Sequence, residues 1–85
     1  MKKVIKFYAD WCAPCKAYGP IFDKVKNSTE GVEFIEVNID NDDTGLAAEM
    51  KVRSIPHTTL VSEKGAKKQF SGIMSETELK KFIDG

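Results

Sequence analysis

The amino-acid sequence predicts an α/β fold, with a four-stranded mixed sheet flanked by three helices in the order β-α-β-α-β-β-α. Three observations carry that expectation. Two β-rich apolar runs, residues 3–9 and Val32 to Asp40, are separated by a stretch with helical spacing. Strand, helix and strand within that length make a right-handed βαβ unit with parallel strands. Two later β-rich runs flank Glu63-Lys64-Gly65, an antiparallel hairpin. Ser75-Glu76-Thr77-Glu78 then opens a last helix as a capping box. Such a sheet takes helices on both faces, and 85 residues suffice for one domain, 1–85, with a modest core.

Taken in order, the first strand is apolar except for Lys6. The first helix, from about Cys12 to Asn27, places Tyr18, Ile21, Phe22 and Val25 on a core face. Gly19-Pro20 falls inside it, which predicts a kink rather than a stop. Val32, Phe34, Ile35, Val37 and Ile39 give the second strand a nearly continuous apolar series. Asn41 to Thr44 offers helix caps, and a short helix from Gly45 to Lys51 would bury Leu46, Ala47 and Met50. The acidic residues Asp40 to Asp43 lack the glycine and terminal glutamate of a calcium loop, so capping explains them better. Thr58 to Ser62 and Ala66 to Ser71 form the hairpin, and Leu79, Phe82 and Ile83 the stripe of the last helix.

Composition narrows the function classes. Thirteen basic residues balance 13 acidic ones, which gives no electrostatic footprint for nucleic acid. Lys64, Lys67 and Lys68 fit a solvated turn and edge strand. Met1-Lys2-Lys3 resembles the start of a signal peptide, but Lys6 and Asp10 interrupt the apolar run that would follow. No stretch approaches the roughly 20 apolar residues of a membrane span. The expectation is a cytoplasmic monomer, with no membrane and no nucleic acid among its partners.

The chemistry lies in Trp11-Cys12-Ala13-Pro14-Cys15, between the first strand and the first helix. Cys12 at the helix N-terminus would face unpaired N–H groups and the positive end of the dipole, which favour a thiolate. Pro14 suits the first turn. Cys15, one turn on, would be close enough for a disulfide and more buried. Cys12 would attack a partner disulfide and Cys15 would resolve the mixed disulfide. A structural zinc site takes four ligands, whereas the chain has two cysteines and one histidine, His57, so no metal is expected. A bridge closing so small a loop would add little stability, which leaves redox work as the better reading.

With the motifs in place, the chain resembles the thioredoxin family over nearly its whole length, from about Val4 to Gly85. The resemblance rests on Phe7 to Lys16, Pro20, Val37-Asn38-Ile39-Asp40, Ile55-Pro56 and Gly72, in that order and spacing. It implies a thioredoxin-like fold trimmed of an N-terminal strand and helix, and a cis bond between Ile55 and Pro56. It also implies an apolar docking surface of Trp11, Ile55, Pro56, Gly72 and Ile73 around Cys12, with substrate pairing strand to strand beside Pro56. The ordinary reading of Trp11 is core packing. The implied activity is reduction of disulfides in protein substrates, with a thioredoxin-reductase-type electron donor and no cofactor beyond the dithiol. The rivals are a glutaredoxin-like, glutathione-coupled enzyme and a binding subunit with dispensable thiols.

Three departures from the family pattern stand out. Ala13 replaces a glycine and bears on the potential, because residues between the cysteines tune it. Lys6 stands six residues before the first cysteine, where thioredoxins typically carry a buried aspartate credited with proton transfer. Two readings compete: an ion pair with Glu36, or a cation beneath Cys15 that favours thiolates. His57 follows Pro56 where threonine is common, either as an acid or base near the sulfurs or as a strand histidine pointing away.

Overall fold

The computed structural model describes residues 1–85 and realises the expected order. The elements are β1 (Lys2–Tyr8), α1 (Ala13–Ser28), β2 (Val32–Asn38), α2 (Leu46–Glu49), β3 (His57–Val61), β4 (Lys67–Ser71) and α3 (Glu76–Asp84). The strands lie in the order β2-β1-β3-β4. β1 and β2 are parallel, and the β1–β3 and β3–β4 pairs are antiparallel.

β1 is central and covered on both faces, so Val4, Ile5, Lys6 and Phe7 are all buried. Its side chains alternate between two cores. Val4 packs with Tyr18, Phe22 and Val25 of α1 and with Leu79 and Ile83 of α3. Ile5 and Phe7 point the other way, into a smaller cluster with Val37 and Met50, flanked by half-buried Ile35, Leu46 and Ala47. α1 and α3 therefore share one face, and α2 covers part of the other. Glu76 at the start of α3 takes an ion pair from Lys24 of α1 at 3.3 Å and one from Lys80 at 3.2 Å. Those two lysines hold the Glu76 carboxyl below its usual range, through hydrogen bonds and charge.

Several boundaries move by a residue or two, and the larger shifts have local causes. β2 stops at Asn38 rather than Asp40, because the Asn38 side chain accepts the Asp40 N–H at 3.0 Å and starts a single 3-10 turn, Ile39–Asn41. α2 is shorter than the Gly45 to Lys51 expected, since Lys51 adopts a positive φ of 57°. Its approach is capped by Asp42, whose carboxylate accepts from the Thr44 N–H at 3.0 Å, the Thr44 hydroxyl and the Ala47 N–H at 2.9 Å. α1 runs through Pro20 without a stop. The capping box of α3 is complete: Ser75 and Glu78 each accept the other's backbone N–H, at 3.1 and 3.0 Å.

Candidate active site

β1 delivers the chain to the C-terminal end of the central strand at Tyr8, and α1 starts five residues later, leaving Cys12 as its N-cap. Cys12 is extended, with φ −91° and ψ 106°. Its sulfur accepts the Cys15 N–H at 3.2 Å, and its carbonyl accepts the Lys16 N–H at 3.2 Å. A sulfur thus occupies the place a serine or aspartate oxygen commonly takes at a helix start. Pro14 sits in the first turn, where its missing N–H leaves nothing unpaired. The helix end and the capping N–H both stabilise negative charge on that sulfur.

Cys12 and Cys15 are joined as a disulfide, with their α-carbons 5.2 Å apart. They pack with Ala9 against half-buried Tyr8, Ile39 and Ile55. The burial difference expected from the sequence is nearly absent, at 5% exposure for Cys12 and 4% for Cys15. Packing of the Ile55 segment over Cys12 accounts for it. The Cys12 Sγ lies 3.8 Å from the Ile55 carbonyl oxygen, an acceptor for its thiol in the reduced form. The Ile55–Pro56 bond is cis.

Around the sulfurs lies an apolar rim. Trp11 is 68% exposed and Ile73 43% exposed, while Ile55 and Gly72 are half-buried. Core packing of Trp11 is therefore overturned. Its indole N–H donates to an Asp40 carboxylate oxygen at 2.7 Å, which holds the ring out over the surface. Sequence reasoning took Asp40 only as part of the family pattern and of a capping stretch, and missed it as the partner of Trp11; the signal was an acid just past the end of β2, the strand beside β1. Gly72, at φ 106°, donates its N–H to the Pro56 carbonyl at 2.8 Å and so ties the rim to the Pro56 segment. The surface hollows cluster around α3, and none includes either cysteine.

Lys6 forms the expected ion pair. Its ammonium lies 2.7 Å from Glu36, its register partner on β2, and over the rings of Tyr8 at 5.3 Å and Phe22 at 4.9 Å. His57 is buried on the opposite side of the sheet from α1, beside Phe7. Its Nδ1 pairs with the Ser71 hydroxyl at 3.1 Å and its Nε2 with the Gln69 side-chain oxygen at 2.6 Å. Both ring nitrogens are thus committed to β4. No three His, Cys, Asp or Glu side chains converge as metal ligands.

A buried, disulfide-linked cysteine pair at a helix N-terminus, under an exposed apolar rim, defines a thiol–disulfide exchange site. The thioredoxin family model matches residues 1–85. A thioredoxin of Mycoplasma pneumoniae is 37% identical over 83 residues, covering 96% of this chain and 79% of that protein. A mitochondrial thioredoxin of Bos taurus is 37% identical over 81 residues, covering 94% of this chain and 48% of that protein. The X-ray structure of Fasciola hepatica thioredoxin superposes with a TM-score of 0.86 at 30% identity, covering 98% of this chain and 78% of that one. The chain belongs to the thioredoxin family. With its paired Cys12 and Cys15, it is a thiol–disulfide oxidoreductase that reduces protein disulfides.

Proposed function

We propose that Cys12 is the nucleophile and Cys15 the resolving thiol. The Cys12 thiolate attacks one sulfur of a protein disulfide, forming an S–S bond and releasing the other sulfur as a thiolate that takes up a proton. Cys15, deprotonated, then attacks the Cys12 sulfur, frees the substrate's second thiol and closes the Cys12–Cys15 disulfide. Two electrons pass to the substrate, and a dithiol donor of the thioredoxin-reductase type returns them. The observation that carries this assignment is the Cys12 sulfur as helix cap, accepting the Cys15 N–H. That position favours a thiolate at Cys12 over one at Cys15.

The substrate chain lies along Ile55 and Pro56, with Trp11, Gly72 and Ile73 as the apolar rim. Ala13 and Pro14 shape the first turn, and Pro20 lies in the body of α1. Lys6 is paired with Glu36, which cancels much of its field at the sulfurs, so thiolate stabilisation rests chiefly on the helix end and Lys6 adds the remainder. His57 positions β4 rather than handling protons. The protein works in the cytoplasm, where reducing systems keep such a dithiol in use. No helix is long and apolar enough to cross a membrane.

Trapping tests the roles. Cys15→Ser should accumulate a mixed disulfide between Cys12 and a protein substrate, seen by intact mass, and Cys12→Ser should not; the reverse pattern would exchange the two assignments. The direction of electron flow is tested by equilibrating the wild-type pair against glutathione and dithiothreitol buffers. A potential roughly near −270 mV marks a reductant, and one at about −120 to −180 mV an oxidant or isomerase.

A further inference from the structure

α1 carries Cys15 and is capped by Cys12, and β3 begins directly after Pro56. Tyr18 follows Cys15 by one helical turn, and Thr58 follows Pro56 by two residues. Both are 0% exposed, and their hydroxyl oxygens lie 2.8 Å apart across the α1–β3 interface. Most of the surrounding contacts are apolar, with Val4, Phe22, Leu60 and Met74 in the same cluster as Tyr18, and the one buried charge nearby, Lys6 opposite Thr58 on β1, is turned to Glu36. Apolar burial is non-directional and tolerates a small slide of helix over strand. A hydrogen bond between two buried hydroxyls does not, because separation leaves both unsatisfied.

The start of β3 is fastened to β4 by other groups. His57 bonds to Ser71 and Gln69, and the Gly72 N–H bonds to the Pro56 carbonyl at 2.8 Å. Those ties leave the Pro56 segment rigid with β4 but do not fix its distance from the helix. The Tyr18–Thr58 bond spans that gap from the body of α1, beside the longer 3.8 Å contact of the Cys12 sulfur with the Ile55 carbonyl at the helix start. We infer that Tyr18 is a positioning residue, which through Thr58 holds the Ile55–Pro56 segment at the spacing from Cys12 that a docked protein chain requires. The inference rests on the proposed docking of substrate along Ile55.

If the bond biases the aligned position over a displaced one, its loss lowers the competent fraction and raises the apparent dissociation constant by that factor. The ceiling is the contribution of one neutral hydrogen bond, about threefold to tenfold. The test uses the full chain with two probes: insulin as a protein disulfide, and dithiobis-nitrobenzoate as a small disulfide that needs no docking strand. Tyr18→Phe should raise KM for insulin by about threefold to tenfold, with kcat and the small-disulfide rate unchanged. Thr58→Val should give the same KM, the double variant should be no worse than either single one, and Thr58→Ser should retain the wild-type value.

An unchanged KM in Tyr18→Phe together with a lowered unfolding midpoint would overturn the inference and leave an ordinary core bond. Equal losses in insulin and small-disulfide rates would also overturn it, by placing the effect at the thiols. Wild-type protein that reduces the small disulfide but not insulin would refute the docking reading beneath it.

Discussion

Replacing either partner of the Lys6–Glu36 pair should have opposite consequences, because the two are buried unequally. Lys6 is 5% exposed, whereas 43% of the Glu36 side chain remains accessible. Glu36→Gln leaves an ammonium between the rings of Tyr8 and Phe22 without its 2.7 Å counter-charge. A fully enclosed charge stripped of its partner costs about 3–5 kcal/mol. Water reaches this pair from the Glu36 side and the rings retain some attraction for the cation, so a loss of about 1–2 kcal/mol is expected. For a chain of this size that lowers Tm by roughly 5–15 °C. Lys6→Met instead removes the buried charge and fills the space with apolar atoms, a change from neutral to about 1 kcal/mol stabilising. The double variant should track Lys6→Met. Urea and thermal unfolding of the three variants check the order, and a Lys6→Met protein less stable than Glu36→Gln would refute it. The same proteins test thiol tuning. Titration of the reduced cysteines should show lower thiol pKa values in Glu36→Gln, where the cation is freed, and higher ones in Lys6→Met; unchanged titrations would remove Lys6 from the chemistry.

Two further outcomes follow from local geometry. The Asp42 carboxyl is held below its usual range, first by the Thr44 hydroxyl and then by the Ala47 N–H. A depressed folded-state pKa contributes stability that is complete above the unfolded value and is lost as pH falls through the folded one. Wild type should therefore exceed Asp42→Asn in Tm near neutrality, with the gap closing under acid conditions below the ordinary aspartate range; a gap independent of pH would contradict the assignment. Gly72→Ala places a side chain at φ 106°, where no atom lies within 4 Å of the added carbon. The cost is backbone strain alone, about 1–2 kcal/mol, read as a lower unfolding midpoint, and an unchanged midpoint would refute it.

What the sequence disclosed depended on whether the deciding interaction was local. The cysteine pair, the capping box and the hairpin turn are set within a few residues, and all appear where spacing places them. The Lys6–Glu36 pair was within reach because parallel register aligns two short strands residue by residue, leaving few candidates. Trp11 was harder. The family pattern placed it on the docking surface with core packing as the lesser alternative, and what holds it outward is Asp40, 29 residues on. Tyr18 was assigned to the core stripe of α1, which is correct for its ring. Its hydroxyl partner lies 40 residues away on a strand whose facing is undetermined until the sheet is assembled.

His57 and Thr58 show what that assembly decides. Consecutive strand residues face opposite ways, so once Thr58 reaches α1, His57 must turn toward the other core. Pairing then brings His57 opposite Ser71 and Thr59 opposite Gln69, which supplies a polar partner for each imidazole nitrogen. Both imidazole nitrogens are thereby committed to β4, and the histidine becomes a fastening between β3 and β4. The adjacent threonine fastens the same strand to the cysteine helix. Two polar side chains immediately after Pro56 thus fasten β3 in opposite directions, and their parity along the strand determines which of them reaches the cysteine helix.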